Sequence, residues 1–205
     1  MRKLILKMSM SVDGFVGGPN GETDWTLRSR SEDGAAWVLE TLWQAGLHAM
    51  GSRSYQGWAS YWPTSTDPMA APMNDIPKVF FTRQKSFEVL PGGAPAQAAS
   101  PAAASWASAR IANGDLVEEM QRLKQEPGKD ILAHGGADFA RSLTQLDLID
   151  EYRLVIHPVT LGSGLPLFAD RHQPMDLELI SASQFRSGAV AHVYRPVRSS
   201  GRPAA

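Results

Sequence analysis

Ile131-Leu132-Ala133-His134-Gly135-Gly136-Ala137-Asp138-Phe139 carries an apolar run that suits a strand, then a double-glycine turn, and Phe139, Leu143 and Leu146 follow at helical spacing. This is strand, turn, helix. The same grammar recurs upstream, where Leu47 to Met50 reads as a strand that enters Gly51-Ser52-Arg53-Ser54-Tyr55, and Lys78 to Thr82 as one that enters Arg83. Both strands end in a loop carrying an arginine. Lys3 to Val12 is the first strand, with Leu4, Leu6, Met8 and Met10 on one face and Ile5 with smaller or polar partners on the other, and Asp13-Gly14 turns the chain. A helix is expected from Asp33, its N-cap, because Ala35, Val38, Leu39, Leu42 and Trp43 recur at helical spacing before Gly46. Asp115 with Glu118 resembles a capping box, opening a helix through Leu116, Met120 and Leu123 that stops before Pro127-Gly128.

Strands alternating with single helices imply right-handed βαβ crossovers and a mainly parallel central sheet flanked by helices. The fold class is α/β. After Asp150 the pattern changes, since Tyr152 to His157, Leu177 to Ser183 and Ala189 to Arg195 read as strands and the Ser187-Gly188 turn joins the last two as an antiparallel hairpin. Between Val89 and Ala109 the chain is rich in Ala, Pro, Gly and Ser, which predicts an exposed insertion. At 205 residues the expectation is one domain over residues 1–197, with 198–205 a flexible tail.

Twenty basic and 21 acidic residues give a formal net charge of −1, so no overall field favours nucleic acid or an anionic membrane. A small-molecule substrate is the expected partner. There is no cysteine, which removes disulfides and thiolate chemistry, and five scattered histidines without a carboxylate cluster predict no metal. With neither a signal-peptide core nor a run approaching the ~20 apolar residues of a membrane span, the protein is expected to be soluble and cytoplasmic.

In an open parallel sheet, ligands lie beyond the carboxyl ends of the strands, where loops expose N–H groups and helix N-termini offer partial positive charge. Three segments here suit an anion. Gly51-Ser52-Arg53-Ser54 brings close backbone approach, hydroxyls and a guanidinium; Thr82-Arg83 adds another pair; Gly135-Gly136-Ala137 opens a helix. Together they resemble a dinucleotide cradle, although the GxGxxG fingerprint of ordinary NAD dehydrogenases is absent.

Five ordered segments, Met8-Ser9-Met10-Ser11-Val12-Asp13-Gly14, Asp24-Trp25, Met50-Gly51-Ser52-Arg53-Ser54-Tyr55, His134-Gly135-Gly136, and His157-Pro158-Val159-Thr160-Leu161-Gly162-Ser163-Gly164 leading to Pro166-Leu167-Phe168, resemble the dihydrofolate-reductase-like reductases. That family includes the C-terminal reductase domain of the bifunctional riboflavin-pathway deaminase-reductase. The resemblance implies that Gly51, Arg53 and Ser54 meet cofactor phosphates, that Thr82 and Arg83 flank the adenosine ribose phosphate, and that Gly135, Gly136 and Ala137 receive the pyrophosphate. Two arginines favour NADPH over NADH, because a guanidinium fork pairs with a 2′-phosphate.

On the substrate side, the resemblance makes Asp13 a candidate for orienting or protonating a nitrogen heterocycle, its alternative being a plain turn. Trp25 either stacks on a planar ring or plugs a gap, and Asp33 either meets substrate or caps its helix. His157 to Gly164 is read as architecture. The implied activity is hydride transfer from NADPH to a pterin, a pyrimidine intermediate or another C=N or C=O substrate, in a homodimer; the alternative is a nucleotide-binding module of the same fold without turnover. No deaminase domain is present in these 205 residues.

Overall fold

The computed structural model describes residues 1–84, 100–171 and 173–197. In chain order its elements are β1 (Leu4–Ser11), β2 (Phe15–Gly17), α1 (Glu32–Trp43), β3 (Leu47–Gly51), α2 (Ser52–Tyr61), α3 (Ala70–Asp75), β4 (Lys78–Phe81), α4 (Pro101–Ala107), β5 (Arg110–Ala112), α5 (Leu116–Gln125), β6 (Ile131–Ala133), α6 (Ala137–Gln145), β7 (Glu151–His157), β8 (Leu165–Pro166), β9 (Leu177–Gln184) and β10 (Val190–Pro196). An eight-stranded sheet runs β5-β4-β3-β6-β1-β7-β10-β9, and β2 pairs with β8 in a separate small sheet. The six strands from β5 to β7 are parallel neighbours, whereas β10 runs antiparallel to both β7 and β9. The expected α/β class and the C-terminal hairpin are both present.

Alternation along β1 sends Leu4, Leu6 and Met8 into one core with Met120, Leu123, Phe139 and Leu143 of α5 and α6. Ile5 turns the other way, into a second core with Leu42 of α1, Tyr55 of α2, Met73 of α3 and Trp106 of α4. Helices therefore cover both faces, as parallel sheets require.

Three local expectations change. Ser31, rather than Asp33, is the N-cap of α1: its side chain accepts from Gly34 N, while Asp33 already lies in the first helical turn, where its carboxylate also favours the dipole. Residues 101–107 of the Ala/Pro-rich stretch are a helix, started by Pro101 and capped by Ser100, and Trp106 within it is wholly buried with Nε1 donating to Asn74 at 2.7 Å. One tryptophan anchors what composition read as insertion; residues 89–99 and the tail 198–205 lie outside the described residues. Finally, Ser52 to Ser54 are not loop but the first turn of α2.

Candidate functional site

Every parallel strand delivers its C-terminal end to one side of the sheet, and there the three anion-suited segments meet. A cleft of about 920 Å³ is lined by Gly51, Arg53, Ser54, Thr82, Arg83, Gly136 and Ala137, with Met8, Trp58 and His134 among its other lining residues. That volume is within the range of ligand pockets. Gly51 N donates to the Gly135 carbonyl at 3.1 Å, locking the start of α2 to the turn before α6. Gly135 lies beneath the cleft with φ +93°, and a Cβ there would sit 2.8 Å from Met8 Sδ, so glycine suits both the dihedral and the packing.

Neither α2 nor α6 has a side-chain cap on its N-terminus, because the N-cap residues are Gly51 and Gly136. Both helices thus leave N–H donors open at the cleft. Arg53 is 93% exposed and its contact with Asp138, at 3.9 Å between two solvated side chains, is a weak competitor for an incoming anion. Thr82 is fixed by its N–H donating to Ala112 at 3.0 Å and its hydroxyl accepting from Gln84 N at 3.1 Å. Donors, guanidinium groups and volume fit a dinucleotide phosphate.

Asp13, Trp25 and Asp33 do not line this cleft. Asp13 accepts from Ser11 Oγ at 2.6 Å and from the backbone N–H groups of Leu161 and Gly162, at 3.1 and 2.7 Å, so it ties the β1–β2 turn to the chain before β8. Those hydrogen bonds, Ser11 first, hold its carboxyl down at about 2. In the same region Gly164, at φ +157°, passes so close to Gly17 that a Cβ would stand 2.3 Å from its carbonyl oxygen. Trp25 is buried, donates Nε1 to the Glu22 carbonyl at 2.9 Å and meets the His157 ring edge-on at 5.5 Å. Asp33 accepts from Gly34 N at 3.0 Å and Arg186 N at 2.9 Å, joining α1 to the β9–β10 turn.

The sequence reading passed over Lys7. It shares the β1 face of Ile5, and burial lowers its amine to about 8. Among the described residues neither a carboxylate nor a hydrogen-bond acceptor pairs with it. Its charge bears on His134 at the end of β6 and on His157 at the end of β7. His157 is buried, with Nδ1 2.7 Å from Ser29 Oγ and Nε2 without a hydrogen-bond partner; burial first, then Lys7, pushes it down to about 4. An unpaired amine and an orphaned imidazole nitrogen are perturbed groups of the kind active sites collect, although neither Lys7 nor His157 lines the cleft.

A parallel sheet with glycine-rich turns at its carboxyl edge and an antiparallel hairpin at one side is the dihydrofolate-reductase-like architecture. The family described as RibD C-terminal domain matches residues 2–191, and the chain belongs to it. It is 34% identical over 194 residues to the uncharacterized protein YyaP of Bacillus subtilis, covering 94% of each chain. Among solved structures, it resembles a putative riboflavin biosynthesis protein from Shewanella sp. PV-4, with TM-score 0.71, 19% identity and coverage of 96% of this chain and 99% of that one. It also resembles the dihydrofolate reductase of Enterococcus faecalis complexed with NADP(H), with TM-score 0.60, 11% identity and coverage of 95% and 96%. At these identities the two structures establish the fold. No helix among the described residues is long and apolar enough to cross a membrane.

Proposed function

We propose that this protein is an NADPH-dependent reductase acting on a small nitrogen heterocycle of the pterin or riboflavin-pathway pyrimidine type, or on a related C=N or C=O compound. The observation that carries the reading is the convergence of two uncapped helix N-termini with Arg53 and Arg83 on one cleft. The helix starts of α2 and α6 receive phosphate oxygens, and the guanidinium groups favour the cofactor with the additional phosphate. NADPH supplies hydride at its nicotinamide carbon when bound.

Reduction of C=N or C=O also needs a proton on the heteroatom. We assign that proton to Lys7, whose amine, lowered by burial, is mostly protonated at neutral pH yet close enough to titration to part with it, and whose side chain stands outside the lining of the cleft. Asp13, at about 2, has no proton to give at pH 7, so its part in this reading is to hold the β2–β8 side in place. Trp25 and Asp33 likewise act as supports, through His157 and through the β9–β10 turn. We retain the homodimer in the proposal, because β9 is an edge strand exposing Leu179 and Ile180.

The test is loss of the reduced-nicotinamide absorbance when protein and NADPH meet a panel of pterins and aminopyrimidines. Oxidation dependent on one of them is expected. Tight NADPH binding without turnover on any of the panel would favour the nucleotide-binding module instead.

A further inference from the structure

The inner wall of the cleft carries His134, and behind it lies a second histidine, His48; their hydrogen-bond directions are set from inside the protein. His48, on β3, is wholly buried, and its Nε2 lies 3.2 Å from the Pro72 carbonyl oxygen. A carbonyl only accepts, so His48 Nε2 carries the proton. Burial pushes this ring down to about 4, so it is neutral at pH 7 and its Nδ1 holds a lone pair. His134 Nε2 stands 2.7 Å from that Nδ1 and must donate to it.

Burial, reinforced by His48 and Lys7, keeps His134 well below its ordinary value too. Its single proton is committed inward on Nε2, which leaves Nδ1 as a lone pair. His134 lines the cleft, and Trp58 stands edge-on to its ring at 5.5 Å, opposing rotation. The hydrogen bonds therefore run in one direction, from His134 to His48 to the Pro72 carbonyl.

We propose that His48 is a positioning residue that locks His134 in the Nε2–H tautomer, so that the inner cleft accepts a hydrogen bond and selects ligands presenting an N–H or NH2 group there. A carbonyl or ether oxygen at the same place meets a lone pair and is disfavoured. The acceptor is complementary to the N–H of an amide or lactam edge. This inference rests on the cleft being the ligand site of the proposed reductase. The N–H has two sources, the carboxamide of the nicotinamide and the ring of the heterocycle.

The tautomers are read on the 15N-labelled full chain at pH 7, without ligand, from long-range 1H–15N correlations of the imidazoles. Nε2–H is expected on both His48 and His134. An Nδ1–H tautomer on His134 in the wild type overturns the proposal, and this arm requires no variant to fold. His48→Phe keeps a ring and removes the acceptor, so His134 should become a tautomer mixture; His48→Asn, which returns an acceptor oxygen near the lost Nδ1, should restore Nε2–H.

Two ligand pairs separate the sources of the N–H. NADP+ is compared with its 3-acetylpyridine analogue, which keeps the carbonyl and lacks NH2, and uracil is compared with 1,3-dimethyluracil, which lacks both N–H groups. The donor-bearing member of at least one pair should bind about three- to tenfold tighter, the scale of one hydrogen bond, and the gap should shrink in His48→Phe. No discrimination in either pair overturns the selectivity. Absence of NADPH oxidation with the tautomers as expected would instead defeat the reductase reading and leave the His48 lock standing.

Discussion

At the amino ends of the parallel strands, every buried charge among the described residues has a partner. Arg2 donates Nε to the Lys129 carbonyl at 2.6 Å, Lys124 lies 2.6 Å from Asp150 and also donates to the Leu148 carbonyl, and Asp150 accepts from Leu4 N as well. Lys78, the first residue of β4, spends its ammonium on the carbonyls of Asn74 and Ile76 and on Ser105 Oγ. The carboxyl ends are built the opposite way. There Arg53 is almost fully solvated and two helix N-termini have no side-chain cap, while Lys7, midway along β1, has no partner for its amine among the described residues. Pairing marks charges that hold the fold together, and its absence marks charges held ready for a ligand.

The contrast is broken most directly with two lysines. Lys124→Met removes the ammonium of a buried ion pair while Asp150 keeps its hydrogen bond from Leu4 N, so it should cost about 3 kcal/mol in denaturant unfolding, with NADPH affinity unchanged in the surviving folded protein. Lys7→Met should do the reverse. Its turnover on a confirmed substrate should fall about 100-fold, while stability at pH 7 should rise by on the order of 2 kcal/mol.

The sign follows from linkage. The folded amine titrates at about 8 against an ordinary 10.5, so the unfolded chain binds the extra proton across that window and stability climbs as pH rises through it. In the wild type, turnover that depends on the protonated amine should stay level below about 8 and decline above it. A Lys7→Met protein that is less stable and fully active would erase the distinction between the two ends.

Arg53→Ala sharpens the cofactor half of the comparison. It should weaken NADPH by about 1.5–3 kcal/mol, the worth of a charge-assisted hydrogen bond, with unfolding free energy unchanged because its ion pair with Asp138 is solvent-exposed. Asp13→Asn should fall well short of the about 100-fold turnover loss of a general acid. The stability that Asp13 confers exists above its ordinary 3.8 and should be lost as pH falls towards about 2. Smallest of all, Leu179→Lys on the exposed edge strand should shift a dimer towards monomer in light scattering without altering the monomer's fold.

The parallel sheet was legible because strand-turn-helix grammar is local: Ile131 to Phe139 and Leu47 to Tyr55 contain their own periodicity and turns. The cradle was legible for the same reason, since those turns fall at strand ends that one topology gathers. Lys7 was not. Strand alternation puts it on a polar-reading face, but only the helices packed on that side turn a surface position into a desolvated one. Asp13 misled for a related reason, because the amides of Leu161 and Gly162 that satisfy it stand 148 and 149 residues away in sequence. Trp106 shows the limit of composition: a single large side chain, buried beside Tyr55 and Phe80, converts an Ala/Pro-rich run into packed structure.

If the arginines and open helix starts at the carboxyl edge form an NADPH site, titrating the wild-type protein in parallel with NADPH and NADH must tell the two cofactors apart. Saturable binding with NADPH favoured by about tenfold or more is the predicted result, one charge-assisted contact to the additional phosphate being sufficient for it. Equal affinities, or binding of neither cofactor, would contradict the claim.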